Sequence, residues 1–196
     1  PEPSYVFVGR NGKDLGISFH NYLKNFSAAT MSEINRIYAV WSVNSTPLVI
    51  PEDMQKFFDL WLDNDGYECC DLLGIMASWW KLRDEPNVLL VHYRQLKDDL
   101  PSQVVRIAEF LTIDPGTLRL DDILRHSSFE YMKGRAEKMA PFGGEHMSSA
   151  KAFFHKGPKR DFRTELTSEQ IERFDRKALE RLGPACSRWL ETGDTA

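Results

Sequence analysis

Arg10-Asn11-Gly12-Lys13-Asp14, followed by Ser18, places two cations, a carboxylate and a hydroxyl close together in the chain. The segment follows a short apolar run, Tyr5-Val6-Phe7-Val8-Gly9, and leads into Leu15, Phe19, Tyr22, Leu23 and Phe26 at helical spacing. An Arg at the carboxyl end of a strand, just ahead of a helix N-terminus, stands where open α/β sheets bind anions. Asp14 and Ser18 are four residues apart and therefore share a helix face. A capped helix start with Arg and Lys in solvent has the same pattern, and spacing alone does not separate the two. A second constellation is Phe153-Phe154-His155-Lys156-Gly157, followed by Lys159, Arg160 and Arg163. Gly beside Lys and His lets backbone N–H groups and cationic heads converge on one phosphate. An ordinary solvated basic loop is the alternative. Tyr93, ending a second apolar run, and Phe129 can offer an aromatic wall to a base, although either taken singly is equally at home in a core.

Other chemistry is excluded by spacing. The five His have no helical metal spacing to one another, and the adjacent Cys69-Cys70 pair lacks a CxxC partner, so no metal site is expected. Cys70 reads as core on an apolar helix. The nucleophile-elbow, Walker and dinucleotide glycine patterns are all missing.

These residues need a scaffold. Tyr5–Gly9 and then helix form the first half of an α/β crossover. Ser27 to Val49 has weak periodicity and reads as a loose segment. Pro51-Glu52-Asp53 opens a helix with Phe57, Phe58, Trp61 and Leu62, which Asn64-Asp65-Gly66 ends, and a very apolar helix follows from about Glu68 to Leu82. Asn87 to Tyr93 is a continuous apolar run, as suits a strand buried on both faces of a parallel sheet. A helix is predicted from Pro101, with short ones over Asp121–Arg125 and Phe129–Lys138, the latter opened by the capping-box spacing Ser127…Glu130. Met139 to Lys159 reads as a long loop. Thr167…Gln170 is another capping box, opening a helix to Leu182 that Gly183-Pro184 breaks. Both strands look central, and a central strand needs paired neighbours. Those neighbours are expected upstream of Pro1, so residues 1–196 read as a single domain incomplete at its N-terminus.

Composition agrees with a globular chain: 196 residues, 42% hydrophobic and 28% charged, with twelve Phe, six Tyr and five Trp for a core. A net charge of −4 argues against nucleic-acid or membrane binding through bulk charge. Three Cys without a disulfide framework suit reduced thiols and a cytoplasmic location.

Taken in order, the motifs resemble the sulfotransferases that use 3′-phosphoadenosine-5′-phosphosulfate (PAPS). Tyr5–Val8 with Arg10-Asn11-x-Lys13-Asp14-x-x-x-Ser18 resembles their 3′-phosphate segment. Asn87 to Tyr93, with Leu96, Lys97 and Asp99, is similar to their strand and following turn. His126-Ser127-Ser128-Phe129-x-x-Met132-Lys133 is similar to their adenine-contacting segment. His155-Lys156-Gly157 with Asp161-Phe162-Arg163 and Thr167 resembles their late basic signature. The resemblance covers nearly the whole chain. It implies a P-loop-NTPase-like parallel sheet flanked by helices, with a helix-rich C-terminal portion, and PAPS as cosubstrate. It further implies that Arg10 and Ser18 hold the 3′-phosphate and that His155, Lys156 and Gly157 close over it. Tyr93, Ser128 and Phe129 would meet the adenosine, with Ser127, Phe153 and Phe154 also counted in the cofactor site.

Some positions depart from the family. His155 stands where the family more often has Arg, and Phe162 replaces a Trp. Ser168 replaces a Val in a short dimerisation motif of which Arg163, Thr167 and Glu172 are remnants, so a homodimer is only weakly implied. The family's phosphosulfate loop and catalytic His precede the Arg10 segment, so the catalytic base is expected upstream of Pro1. His20 is not at that position. The function expected is sulfuryl transfer from PAPS to a hydroxyl or amine of a small-molecule acceptor, with 1–196 alone inactive. A non-catalytic module binding a 3′-phosphoadenosine nucleotide and an α/β phosphotransferase are the alternatives.

Overall fold

The computed structural model describes residues 3–41, 49–66, 71–154 and 161–194. Two strands, β1 (Tyr5–Gly9) and β2 (Val88–His92), pair in parallel, with Tyr5 opposite Val88 and Gly9 opposite His92. Among the described residues the sheet has no further strand. Val88, Val91 and His92 of β2 are buried, whereas Tyr5, Val6 and Val8 of β1 are exposed.

Parallel pairing requires a crossover, and helices supply it. Asn11 caps α1 (Gly12–Lys24) by accepting from the Lys13 N–H, with Asp14 in the first turn and Lys24 in the last, as the helix dipole favours. The segment read as loose carries a helix, α2 (Ala28–Trp41). Its apolar Ile37 and Val40 face solvent, so no continuous buried stripe marked it in the sequence. Asp53 caps α3 (Met54–Asp63) and Asp71 caps α4 (Leu72–Lys81), so the second helix begins later than expected; residues 67–70 lie outside the described ones.

β2 passes directly into a helix that the sequence pattern hid, α5 (Tyr93–Asp98), with His92 as its cap. Asp99 then caps α6 (Leu100–Phe110). After a 3-10 turn at Pro115–Thr117 come α7 (Leu120–His126), α8 (Phe129–Gly134) and α9 (Ala136–Met139). The single helix expected over 129–138 is divided at Arg135, whose φ of −121° is not helical. Its cap is Ser128, not Ser127, because Ser128 Oγ is the group that accepts from the third amide of the helix, Tyr131 N–H. The stretch expected to be a long loop holds a 3-10 turn, Pro141–Gly144, and α10 (Ala150–Phe153).

The last elements are α11 (Phe162–Glu165) and α12 (Ser168–Thr192). Thr167 and Gln170 form the expected capping box, Thr167 Oγ1 accepting from Gln170 N–H and Gln170 Oε1 from Thr167 N–H. The expected break is also present. Gly183 adopts φ 73° and ψ 171°, a region that glycine enters without the cost of a Cβ, and Pro184 follows as the helix resumes.

The main core joins Ile17 and Leu23 of α1, Phe57, Phe58, Trp61 and Leu62 of α3, Leu73 and Met76 of α4, and Phe174, Cys186, Trp189 and Leu190 of α12. A second, smaller cluster gathers Ala136, Ala140 and Phe154, with Phe129, Met132 and Ala150 against it. No described helix is long and apolar enough to cross a membrane.

Candidate functional site

The carboxyl ends of β1 and β2 open into a cleft of about 1090 Å³. Its floor is the β1–α1 junction, one side is α5, and the other runs from α8 through α10 to α11. Arg10, Ser18, Tyr93, Ser127, Phe129 and Phe153, six of the residues singled out in the sequence, all line it. Ser128 and Phe154 do not. The Ser128 hydroxyl donates to the Arg125 carbonyl (2.8 Å) and accepts from the Tyr131 N–H, so it is occupied with the start of α8. Phe154 is buried in the smaller cluster and meets Phe129 edge-on, with ring centres 6.2 Å apart. His155, Lys156 and Gly157 lie outside the described residues.

Local folding divides the Arg10–Asp14 segment into two faces. Asn11 donates its side-chain N–H to the Glu191 carbonyl at 3.3 Å. Lys13, which reads as a solvated cation, is only 1% exposed. It pairs with Asp175 and Glu191 of α12 and lies against the rings of Phe162 and Phe174. Both residues therefore turn inward and tie α1 to α12. Arg10 and Asp14 turn to the cleft. The Arg10 guanidinium sits 4.7 Å from the centre of the Tyr93 ring, a cation–π contact. Arg10 Nε and Asp14 Oδ1 are buried and have no hydrogen-bond partner. Buried polar groups are nearly always paired, and both of these exceptions belong to residues that line the cleft.

The remaining cleft charges are mostly engaged. Arg94 pairs with Asp98 at 3.4 Å, and Arg163 with Asp161 at 3.2 Å. Burial holds the Asp14 carboxyl above its ordinary range; Arg10 and Lys97 oppose the shift, as does the Phe162 N–H, while Asp161 adds to it. At the end of β2, burial pushes His92 below the ordinary imidazole value. Its Nδ1 accepts from the Arg94 N–H (3.3 Å) and its Nε2–H donates to the Leu190 carbonyl (3.1 Å), which suits a neutral ring. His20 is likewise committed, with Nε2 2.7 Å from the Pro51 carbonyl oxygen.

Arg94, Glu191 and Thr192 were not legible in the sequence as cleft residues. Arg94 became one only because β2 runs straight into a helix. Glu191 and Thr192 arrive from the far end of the chain, and no local motif marks them.

A cleft at the carboxyl ends of parallel strands is where open α/β sheets bind their ligands. The sulfotransferase domain model matches residues 1–184, and the chain belongs to that family. Among curated relatives, mouse (Mus musculus) sulfotransferase 1B1 is 27% identical over 180 residues, covering 87% of this chain and 51% of the relative. Rabbit (Oryctolagus cuniculus) amine sulfotransferase is 27% identical over 183 residues, covering 87% and 52%. The chain thus spans about half the length of the curated relatives it matches. The structure of mouse sulfotransferase SULT7A1 complexed with PAP superposes with a TM-score of 0.68 at 25% identity, over 96% of this chain and 61% of that one. Retinol dehydratase, at 20% identity and a TM-score of 0.64, shares the fold.

Proposed function

We propose that this chain carries the nucleotide-holding part of a PAPS-dependent sulfotransferase acting on a hydroxyl or amine of a small molecule. The observation that carries the reading is the buried, unpartnered Nε of Arg10, held over Tyr93 at the end of β1. Family membership and the neighbour's complex with PAP support it. The residues present fit a 3′-phosphorylated adenosine nucleotide. Arg10 and Ser18, on the exposed side of the β1–α1 junction, would hold the 3′-phosphate, with His155, Lys156 and Gly157 completing its shell. Tyr93, Ser127 and Phe129 would flank the adenosine beside Phe153. Ser128 would act by starting α8 and Phe154 by backing Phe129.

The nucleotide, when bound, supplies the sulfuryl group and a phosphate leaving group. The chain's own residues bind and orient it and shield the cleft from water, which makes attack in line with the departing phosphate an intramolecular event. No described residue is assigned as the base.

The test is calorimetry with adenosine 3′,5′-bisphosphate on the wild type and on Arg10→Ala. Removal of a charged donor from a desolvated phosphate contact is expected to weaken binding by about 2–4 kcal/mol. Unchanged affinity would refute the assignment.

A further inference from the structure

Asp14 has no part in the nucleotide site outlined above, yet it stands inside it. It precedes Ser18 by one helical turn on the same face of α1, and both residues line the cleft. Its Oδ1 is buried without a partner, as is the Nε of Arg10. Arg10 faces it from the end of β1, Lys97 from α5, and Asp161 with the Phe162 N–H from the start of α11. Arg94, Asp98, Arg163 and Glu191 complete the charged lining. An anion drawn to Arg10 and Ser18 must therefore approach a carboxyl group as well.

A carboxylate and a doubly charged phosphate cannot both stay unprotonated at hydrogen-bond distance in a desolvated cleft. One proton between them replaces that repulsion with a short O–H···O⁻ hydrogen bond. A phosphate monoester loses its second proton near pH 6, so near neutrality its dianion is basic enough to take up a proton from water and share it. A sulfate or sulfate ester is a fully ionised weak base with no proton to give, so its proton has to be drawn from water onto Asp14. The like-charged Asp161 and the burial of Asp14 both favour keeping a proton there.

We propose that Asp14 shares one proton with the phosphate bound at Arg10, and so makes this end of the cleft accept a phosphate and reject a sulfate. The inference rests on the phosphate reading of Arg10 given above. It supplies something that reading lacks, because a nucleotide bearing phosphate at one end and sulfate at the other must enter in a single orientation. Arg10 attracts either group, whereas a proton-sharing carboxyl discriminates between them by basicity.

The experiment uses the full chain and adenosine 3′,5′-bisphosphate. Calorimetry is run from pH 6 to 8 in buffers of different ionisation enthalpy, with inorganic phosphate and inorganic sulfate as competitors at constant ionic strength. The wild type should take up protons on binding near pH 8, and phosphate should compete better than sulfate. In Asp14→Asn the proton uptake should fall, nucleotide affinity at pH 8 should rise roughly tenfold, and the preference for phosphate over sulfate should shrink by about the same factor, one pKa unit being one decade. Asp14→Ser should behave alike if the carboxyl is what matters. Ionisation of the free nucleotide is common to all three proteins and cancels in the comparison. Proton uptake and anion preference unchanged in Asp14→Asn would overturn the inference. Weaker binding at every pH would also overturn it, by making Asp14 a positioning residue for Arg10. Either result, combined with a loss of affinity in Arg10→Ala, leaves the phosphate reading intact; full affinity in Arg10→Ala overturns both.

Discussion

The two sides of the cleft are built in different ways. On the strand-end side, four polar side chains near the site are tied to the end of α12. Asn11 reaches the Glu191 carbonyl, Lys13 its carboxylate, His92 the Leu190 carbonyl and Gln95 the Gly193 carbonyl. Trp189 packs so closely under β1 that a Cβ on Gly9 would lie 2.4 Å from its ring. The opposite side, α8 to α10, has a small core of its own. It joins the rest of the protein through a short bridge between Phe26 and Met147 and the edge-on contact of Tyr22 with Phe153. The first side holds Arg10 and Asp14 together with Tyr93, and the second contributes Phe129 and Phe153. Electrostatic recognition depends on donors that stay in place, whereas an aromatic wall tolerates adjustment. The division therefore assigns precision to the strand ends and adaptability to the helical flank.

The largest effect is expected from Trp189→Ala. Loss of a fully buried indole that touches Gly9, Trp80 and His92 should cost roughly 3–5 kcal/mol, read as a lower midpoint in urea denaturation with an unchanged slope. A midpoint within error of the wild type would mean that α12 does not buttress the strand ends.

Phe154→Ala should have a smaller and more local effect. With few buried partners, the α8–α10 flank should open below the global unfolding free energy. Hydrogen exchange should then speed up in the amides of α8 and α9 while those of β2 and α12 keep their protection. Acceleration spread evenly over both regions would erase the distinction between the two sides.

The smallest effect concerns pH. His92 is held below its ordinary pKa chiefly by burial, so between the two values the unfolded chain binds more protons than the folded one. This contribution is fully present above the unfolded value of about 6.5 and is lost as pH falls through that value toward the folded one. The melting temperature should therefore drop on acidification from pH 7.5 to 5.5, and His92→Gln should flatten part of that drop. Identical pH profiles would show that His92 stays uncharged in both states or titrates without consequence.

The elements most legible in the sequence were those whose signals are local. The apolar runs of β1 and β2, the stripe of α3, the Thr167–Gln170 capping box and the Gly183 break all rest on spacing within one or two turns. Their physics is complete before the chain meets itself. α2 escaped because its apolar Ile37 and Val40 are exposed, and α5 because the pattern of β2 ran into it without a turn residue. Serine at both 127 and 128 left the start of α8 ambiguous by one position, which only the observed hydrogen bond resolves.

What the sequence determined by itself was the pair of strands, the junction placing Arg10 before a helix with Ser18 one turn beyond Asp14, and the family to which the ordered motifs belong. Tertiary structure alone decided which groups of that junction remain available. Lys13 and Arg10 are equivalent on paper, each a cation beside a helix start. The α12 carboxylates and the rings of Phe162 and Phe174 remove Lys13 from solvent, whereas Arg10 keeps a buried donor without a partner. The difference comes from residues about 160 positions away in the chain, and burial and pairing across such a distance have no signature in local spacing.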